Sequence, residues 1–285
     1  MKRLIHRIYE FVTHLIGTVT GTYYFEDYVR VYPDGLKYDR LGRKKIASRD
    51  DVKNFKNHLK FYQFASQFVN GKVVADVGCG SGYGCELLKK KGARSVFGFD
   101  VSKSSIRFAE ANFLDYAQFS LASITDLKGV QNDLFDVAIC SEVLEHVKEY
   151  KMEKRALDEL KRITRDGGMI IIGTPNAEML GDHGFFFDEI DKLIAQAFSE
   201  YRLFENALVP FGEGKTSWND RRAAGRTGVV VTEQINLSET VLPEGAVPEI
   251  KAGLDAGPYR LADCHVDTTL LHNTHSWVIL AINRK

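Results

Sequence analysis

The stretch that decides the fold is Val73-Val74-Ala75-Asp76-Val77-Gly78-Cys79-Gly80-Ser81-Gly82. Its first five residues are apolar except for Asp76, and they predict a buried strand. Glycines at alternate positions follow the strand, and the run from Cys85 to Leu88 then predicts a helix. Glycine lets the backbone come close to a ligand at the carboxyl edge of a sheet, where such folds bind ligands. The stretch therefore predicts a cofactor-binding loop.

The glycine spacing distinguishes this loop from the common phosphate-binding loops. The dinucleotide fingerprint G-x-G-x-x-G requires a third glycine where the sequence has Tyr83 or Cys85, so neither reading frame fits. The Walker loop also fails, because no Gly-Lys-Ser/Thr follows. The carboxylate of Asp76 would repel a pyrophosphate, so we expect a ligand that carries an amine or a positive charge. The glycine spacing therefore disfavours a dehydrogenase.

Outward from the loop, strands and helices alternate at regular spacing. This alternation predicts βαβ units and a parallel sheet covered by helices on both faces. We therefore expect an α/β fold with a doubly wound, Rossmann-like, mostly parallel seven-stranded sheet. The predicted strands are residues 73–77, 95–99, 119–121, 135–140, 169–172, 201–209 and 276–282. The predicted helices are residues 4–16, 59–68, 85–88, 104–113, 152–163 and 189–198.

The chain divides into four parts by sequence pattern. These are an N-terminal amphipathic helix with a tyrosine-rich lid or arm, residues 1–50; the core, 51–209; a glycine-rich insertion or substrate lid, 210–275; and the last core strand, 276–285. The N-terminal helix has three open interpretations. It packs on its own domain, on a second subunit in a dimer, or on a membrane surface as a peripheral contact.

Composition excludes several classes of protein. The 285 residues include 38 basic and 38 acidic side chains, a balance without a broad positive field, so we expect no nucleic-acid partner. No apolar run reaches the roughly 18 residues of a transmembrane helix, and we expect a cytoplasmic protein without an export signal.

His272 and His275 lack an acidic third ligand nearby, so we expect no metal. The cysteines lack C-x-x-C spacing and predict buried thiols: Cys79, Cys85, Cys140 and Cys264.

A second acidic residue, Asp100, ends the next predicted strand. An acid about 20 residues beyond a nucleotide-binding loop is placed to accept hydrogen bonds from ribose hydroxyls, which implies adenosine without pyrophosphate. With these residues the sequence resembles the class I S-adenosylmethionine-dependent methyltransferases, whose E/D-x-G-x-G-x-G loop matches Asp76 to Gly82. The resemblance covers about Phe55 to Val209. It implies methyltransferase activity and S-adenosyl-L-methionine as the cofactor.

Later segments extend this resemblance. Phe135 to Val147 is similar to the family's fourth-strand segment, and Leu160 to Asn176 is similar to its fifth-strand segment. His58 to Ala65, with Thr174 to Asn176, is similar to a branch associated with methylation of sugars and surface polysaccharides. Where many relatives place an aspartate against the adenine amine, this chain has a serine. The resemblance implies these cofactor-binding residues: Asp76, Gly78, Gly80, Gly82, Asp100, Ser123, Ile124 and Ser141.

Three titratable residues lie on one short turn after the predicted fourth strand, Glu142, Glu145 and His146. A neutral imidazole near the methyl donor can take a proton from a hydroxyl group at neutral pH, which makes His146 the first candidate for a general base. Glu142 or Glu145 can instead serve as the base or as a substrate ligand, and the sequence does not rank the three. His146 could also serve only to order the loop. His183 is a candidate substrate-binding residue.

The resemblance to the sugar-methylating branch predicts O-methylation of a sugar or another polar small-molecule acceptor. Methyl transfer needs an in-line approach, and positioning can supply most of the acceleration. Two alternatives stay open. A methyltransferase of a lipid-like quinone or phenol precursor at the membrane surface would explain the amphipathic N-terminal helix. A non-catalytic partner subunit would bind the cofactor and transfer no methyl group.

Overall fold

The computed structural model describes residues 36–38, 44–46, 58, 61–177, 184–207, 232–235 and 274–285. In the N-terminal arm, Leu36–Tyr38 and Lys44–Ile46 pair as a two-stranded antiparallel sheet. The predicted helix 4–16, most of the 210–275 insertion, and His183 lie outside the described residues. The lid, the role of the insertion and the membrane or subunit contact therefore stay predictions.

An eight-stranded sheet forms the centre of the described structure. Its strands, numbered here along the chain, are β1 Val73–Val77, β2 Ser95–Asp100, β3 Gln118–Leu121, β4 Phe135–Ser141, β5 Thr164–Pro175, β6 Glu200–Ala207, β7 Thr232–Ile235 and β8 Thr274–Ile282. They lie in the order β3-β2-β1-β4-β5-β8-β6-β7. β8 runs antiparallel to both of its neighbours, and the other pairs are parallel. The strand order reverses between β1 and β4, the switch point at which such sheets bind ligands.

Helices cover both faces of this sheet. They are α1 Tyr83–Lys90, α2 Lys103–Phe113, α3 Leu144–Lys148, α4 Glu153–Ile163 and α5 Phe187–Ala197, with a helical stretch 61–65 and a 3₁₀ turn Ser66–Phe68 before β1. Successive side chains of β1 enter two different cores. Val74 belongs to the buried cluster that holds Leu88, and Ala75 to the cluster that holds Leu157. This arrangement confirms the doubly wound α/β fold predicted from the sequence.

The seven predicted strands are all present, and two details differ from the prediction. β5 begins earlier than expected, because Thr164 already pairs with Phe135 of β4. An eighth strand, β7, lies parallel to β6 within the stretch that we expected to be irregular. The glycines of that stretch predict a loop, whereas Thr232 and Ile235 are β-branched residues, a type that favours a strand.

No helix in the described parts of the chain is long and apolar enough to cross a membrane. The three cysteines that fall within them, Cys79, Cys85 and Cys140, are buried free thiols, as the sequence predicts.

Asn283 ties the C-terminal residues to the beginning of β5. Its side chain is fully buried, and Nδ2 donates to the carbonyl oxygens of Thr164 at 2.7 Å and Lys161 at 2.9 Å. Its backbone amide donates to Gly168, and its carbonyl oxygen accepts from Gly167. These bonds hold β8 in place at the end of the sheet that lies opposite the glycine loop.

We expect Asn283→Ala to lower the free energy of unfolding by about 1 to 3 kcal/mol, because it removes the donor from buried carbonyl groups. Urea unfolding followed by circular dichroism measures this loss. Asn112→Ala is the matched control, since Nδ2 of Asn112 bonds the carbonyl of Phe108 on the exposed surface of α2. The control should change stability by less than about 0.5 kcal/mol. Equal losses in the two variants would contradict the role given to Asn283.

Candidate active site

The glycine loop occupies the carboxyl end of β1, at the switch point of the sheet. Gly78, Gly80 and Gly82 have φ angles of 88°, 52° and 91°, a left-handed region that favours glycine. The amides of Gly78 and Cys79 donate to the carbonyl oxygen of Phe99 in β2 at 2.7 and 3.0 Å. The sequence thus forms the loop because only glycine adopts these angles easily, and β2 fixes its position.

Asp100 closes the loop from the end of β2. One carboxylate oxygen accepts from the amide of Gly80 at 2.8 Å, and the other accepts from the amide of Ser102 at 2.8 Å. Burial raises the pKa of Asp100, and the backbone hydrogen bonds oppose this rise. Each carboxylate oxygen can accept more than one hydrogen bond, so Asp100 can also receive two ligand hydroxyl groups. The structure places Asp100 against the loop, and ribose binding stays a prediction.

Asp76 lies fully buried beneath the loop. Its carboxylate accepts hydrogen bonds from the hydroxyl of Tyr62 at 3.1 Å and from the thiol of Cys85 at 3.3 Å. Burial raises the pKa of Asp76 to about 7, against the lowering effect of these two hydrogen bonds. Both oxygens are therefore engaged within the protein. This arrangement supports the loop from below, and direct contact with the cofactor stays a prediction.

Two buried hydroxyl groups at this edge have no hydrogen-bond partner among the described residues. They are Oγ of Ser81, in the glycine loop, and Oγ of Ser141, at the end of β4. Buried polar groups normally find a partner, so both positions fit a bound molecule with polar atoms. Ser141 is one of the predicted cofactor residues. Sequence reasoning missed Ser81, although its place between two loop glycines is a signal that could have identified it.

Gly78 brings the loop into contact with the turn that follows β4. A Cβ atom at this glycine would lie 2.1 Å from Cγ2 of Val143, so no other residue fits without a shift. Val143 directly precedes α3 and lies between Glu142 and Glu145 in the chain. The loop and the two glutamates are therefore parts of one site.

Glu142 and Glu145 form an acidic pair on this turn. Glu142 has a φ of 55°, uncommon for a residue other than glycine, and its amide donates to the carbonyl oxygen of Gly173 at 2.8 Å. Glu145 is 4% exposed, and its Oε2 accepts from the hydroxyl of Thr174 at 3.0 Å. Its Oε1 has no hydrogen-bond partner among the described residues.

Burial governs the ionisation of this pair. It raises the pKa of Glu142 well above its ordinary value, and the charge of Glu145 raises it further. Burial also raises the pKa of Glu145, to about 7, while hydrogen bonds from its own amide and from Thr174 oppose the rise. Both carboxyl groups therefore hold their protons to a higher pH than an exposed glutamate does. A buried carboxyl group that titrates near neutral pH is suited to proton transfer.

His146 lies on the same turn but faces a different environment. Its side chain is 56% exposed, and Nε2 lies 3.7 Å from Oε1 of Glu145. The structure brings the three predicted catalytic residues together, buries Glu145, half-buries Glu142 and leaves the imidazole at the surface. Within the described ranges, no group of three or more His, Cys, Asp or Glu side chains is arranged to hold a metal ion.

Ser123 and Ile124 lie in a turn after β3. The hydroxyl of Ser123 is hydrogen-bonded to Oγ1 of Thr125 at 2.9 Å, and Ile124 is buried in the core that contains Phe99. The structure thus gives both side chains partners within the protein, and their predicted cofactor contacts stay predictions.

Sequence reasoning missed two exposed apolar residues at this edge. Val101 is 67% exposed and directly follows Asp100, and Leu121 is 49% exposed and pairs with Asp100 across β2 and β3. An apolar surface beside Asp100 suits the flat face of a nucleobase. An apolar residue immediately after the strand-ending acid was the available signal.

Comparison with known proteins places this site in a family context. Residues 75–172 match the family model described as a methyltransferase domain. The chain is 32% identical over 152 residues to the ubiquinone biosynthesis O-methyltransferase of Chromobacterium violaceum, a match that covers 50% of this chain and 64% of that protein. It is 35% identical over 127 residues to the mitochondrial ubiquinone biosynthesis O-methyltransferase of Dictyostelium discoideum, covering 39% of this chain and 38% of that protein.

A solved structure supports the fold assignment. A chain of the complex between the Haloferax volcanii Trm112 methyltransferase activator and a methyltransferase superposes with a TM-score of 0.51. The match has 15% sequence identity and covers 83% of this chain and 95% of that one, so it shows the fold alone.

The matches to the two curated relatives cover less than two thirds of the length of either protein. Within the shared part, the glycine loop, Asp100 and the unpartnered serine hydroxyls fit an adenosine ligand with polar atoms at its other end. Residues 75–172 are similar to a methyltransferase domain, and we expect S-adenosylmethionine as the cofactor.

We expect Asp100→Ala to weaken S-adenosylmethionine binding by about tenfold to over a hundredfold, because it removes a charged hydrogen-bond acceptor worth about 1.5 to 3 kcal/mol. Titration calorimetry measures the affinity. Asp115→Ala, at an exposed position after α2, is the control and should bind like the parent. Unchanged affinity in a folded Asp100→Ala variant would remove Asp100 from the cofactor site.

We expect Asp76→Asn to remove a pH dependence of stability. The folded protein holds the Asp76 proton up to a pH of about 7, whereas the unfolded chain releases it near the ordinary pKa of 3.8. The parent therefore loses stability as the pH rises between these values, by an amount on the order of 4 kcal/mol. The asparagine variant lacks this effect, so its stability relative to the parent should rise from about pH 4 to about pH 7.

Urea unfolding of both proteins across this pH range measures the difference, and other carboxyl groups cancel from it. Asp115→Asn, at the exposed position, should show no such trend. A flat difference for Asp76→Asn would mean that Asp76 is ionised in the folded protein throughout.

Proposed function

We propose that this chain transfers the methyl group of S-adenosylmethionine to the oxygen of a phenolic hydroxyl group, as in a quinone precursor. The observation that carries the proposal is the buried carboxyl group of Glu145 beside the glycine loop, whose Oε2 accepts from Thr174 and whose Oε1 has no hydrogen bond among the described residues. Burial raises the pKa of this group to about 7. The curated relatives reported above are named O-methyltransferases of ubiquinone biosynthesis, which supports the same class of acceptor.

The residues of the chain divide the work between donor and acceptor. The glycine loop with Ser81 would hold the amino-acid end of the donor. Asp100 would bind its ribose, and Val101 would contact its adenine ring. When bound, S-adenosylmethionine supplies an electrophilic methyl group on a positively charged sulfur. Glu145 would take the proton of the acceptor hydroxyl at one carboxylate oxygen. The acceptor oxygen would bond to the methyl carbon as the bond from that carbon to the sulfur breaks, and S-adenosylhomocysteine would leave as a neutral thioether.

The acidity of the acceptor decides between a phenol and a sugar. A phenol has a pKa near 10, about three units above that of Glu145, so proton transfer to the carboxylate is feasible during the reaction. An aliphatic hydroxyl is a far weaker acid than a phenol, with an acidity closer to that of water. A carboxylate base therefore favours a phenolic acceptor. The expectation of a sugar acceptor stays a prediction, because no name among the relatives reported above refers to one.

The ranking of the catalytic candidates also follows from burial. Glu145 is buried, and its Oε1 has no hydrogen bond among the described residues and lies 3.7 Å from Nε2 of His146, whereas the His146 side chain is more than half exposed. We therefore assign the proton transfer to Glu145 and a supporting role to His146.

We expect the parent protein to methylate catechol with labelled S-adenosylmethionine, and to leave methyl glucoside unlabelled. Glu145→Gln should reduce turnover by about a hundredfold or more, in keeping with the usual gain from general base catalysis. His146→Ala should stay within a few fold of the parent. The parent's rate should fall as the pH decreases below about 7, since only the Glu145 carboxylate accepts a proton.

Other results would each point to a different function. Loss of turnover in His146→Ala, but not in Glu145→Gln, would identify the imidazole of His146 as the general base. Labelled glucoside without labelled catechol would favour the sugar acceptor. Donor binding without any transfer would support the non-catalytic partner subunit.

A further inference from the structure

Thr174 contacts the proposed base from the neighbouring strand. It lies near the end of β5, its side chain is fully buried, and its hydroxyl donates to Oε2 of Glu145 at 3.0 Å. The contact joins two residues that are 29 positions apart in the chain. The other carboxylate oxygen, Oε1, keeps its lone pairs without a hydrogen-bond partner among the described residues.

The backbone of Thr174 is held on both sides. Gly173, the residue before it, pairs with Ser141 in β4, and Thr174 itself pairs with Trp277 in β8. Trp277 is fully buried, and its Nε1 donates to the carbonyl oxygen of Phe185 at 2.8 Å. The hydroxyl of Thr174 therefore donates to Glu145 from a strand that is paired with a neighbouring strand on each side.

We infer that Thr174 is a positioning residue for methyl transfer: its hydroxyl binds one oxygen of the Glu145 carboxylate and leaves the other available to the acceptor. This inference rests on the proposed function, in which Glu145 takes the acceptor proton. The hydroxyl of Thr174 fixes the direction of Oε2, and orientation of the base contributes directly to the rate.

The same hydrogen bond favours the ionised form of Glu145. It opposes the rise in pKa that burial causes, so its removal should raise the pKa of Glu145 further. The other titratable groups near this carboxyl group are Glu142 on the same turn, Cys140 at the end of β4 and His146, whose Nε2 lies 3.7 Å away. Lys148 on α3 is engaged elsewhere, with Glu189 at 2.6 Å.

The test replaces the hydroxyl of Thr174 by a methyl group. Thr174→Val should move the acid limb of the pH–rate profile upward by about one unit, since a hydrogen bond to a charged group is lost. Turnover below the midpoint should then fall about tenfold, with the affinity for S-adenosylmethionine unchanged. Thr174→Ser keeps the hydroxyl and should retain the parent profile. If the valine variant does not fold, Thr174→Ala removes the same hydroxyl from a smaller side chain.

Thr164→Val is the matched control. Thr164 lies in the same strand, is equally buried, and donates its hydroxyl to the carbonyl oxygen of Leu160 at 2.7 Å, at the opposite end of the strand from Thr174. It should lose thermal stability as Thr174→Val does and keep the parent pH profile. A shift of the profile in Thr164→Val, or none in Thr174→Val, would overturn the inference.

A direct titration separates this inference from the proposed function. Carbon-13 NMR of glutamate-labelled protein, with the Glu145 resonance assigned by its loss in Glu145→Gln, reports the carboxyl group without turnover. An upward shift of its midpoint in Thr174→Val, but not in Thr174→Ser, supports the Thr174 contact. If the resonance shifts while no variant or parent methylates any acceptor, the proposed function fails and the contact stands. An unchanged midpoint would mean that the Thr174 hydroxyl does not influence the Glu145 carboxyl group, and it would overturn the inference.

Discussion

The close approach of Gly78 to Val143 is the contact on which the site depends. Any side chain at position 78 would come within 2.1 Å of Val143, and the backbone there is left-handed, so glycine is required on two grounds. Because of this contact the loop after β1 rests on the turn after β4. That turn carries Glu142 and Glu145, so one steric constraint sets the spacing between the glycine loop and Glu145, the proposed base.

The site also buries carboxyl groups beside neutral donors. Asp76 is held by a tyrosine hydroxyl and a thiol, and Glu145 by the hydroxyl of Thr174. Neutral donors offset only part of the cost of burying a charge, which is why the pKa values of both groups rise to about 7. By contrast, Asp136 has a lowered pKa and forms an ion pair with Arg165 at 2.7 Å. The unusual carboxyl groups lie where the chemistry is proposed to occur.

The part of the chain shared with the methyltransferase family contains the glycine loop, Asp100 and both glutamates. The residues to which we assign the proposed methyl transfer therefore lie in the matched part. The N-terminal arm and the insertion before β8 fall outside the family match, and we expect them to influence the choice of acceptor.

The sequence by itself determined the doubly wound fold and the position of the glycine loop, because apolar periodicity and glycine spacing are local properties of the chain. It also placed Asp100 at the end of a strand beside that loop. It did not rank Glu145 above His146. Adjacent residues on a helix point about 100° apart, so only packing against β5 decided which of the two is buried. The unpartnered hydroxyl of Ser81 and the hydrogen bond from Thr174 likewise required the tertiary structure, since both depend on elements that are distant in sequence and meet only in the folded sheet.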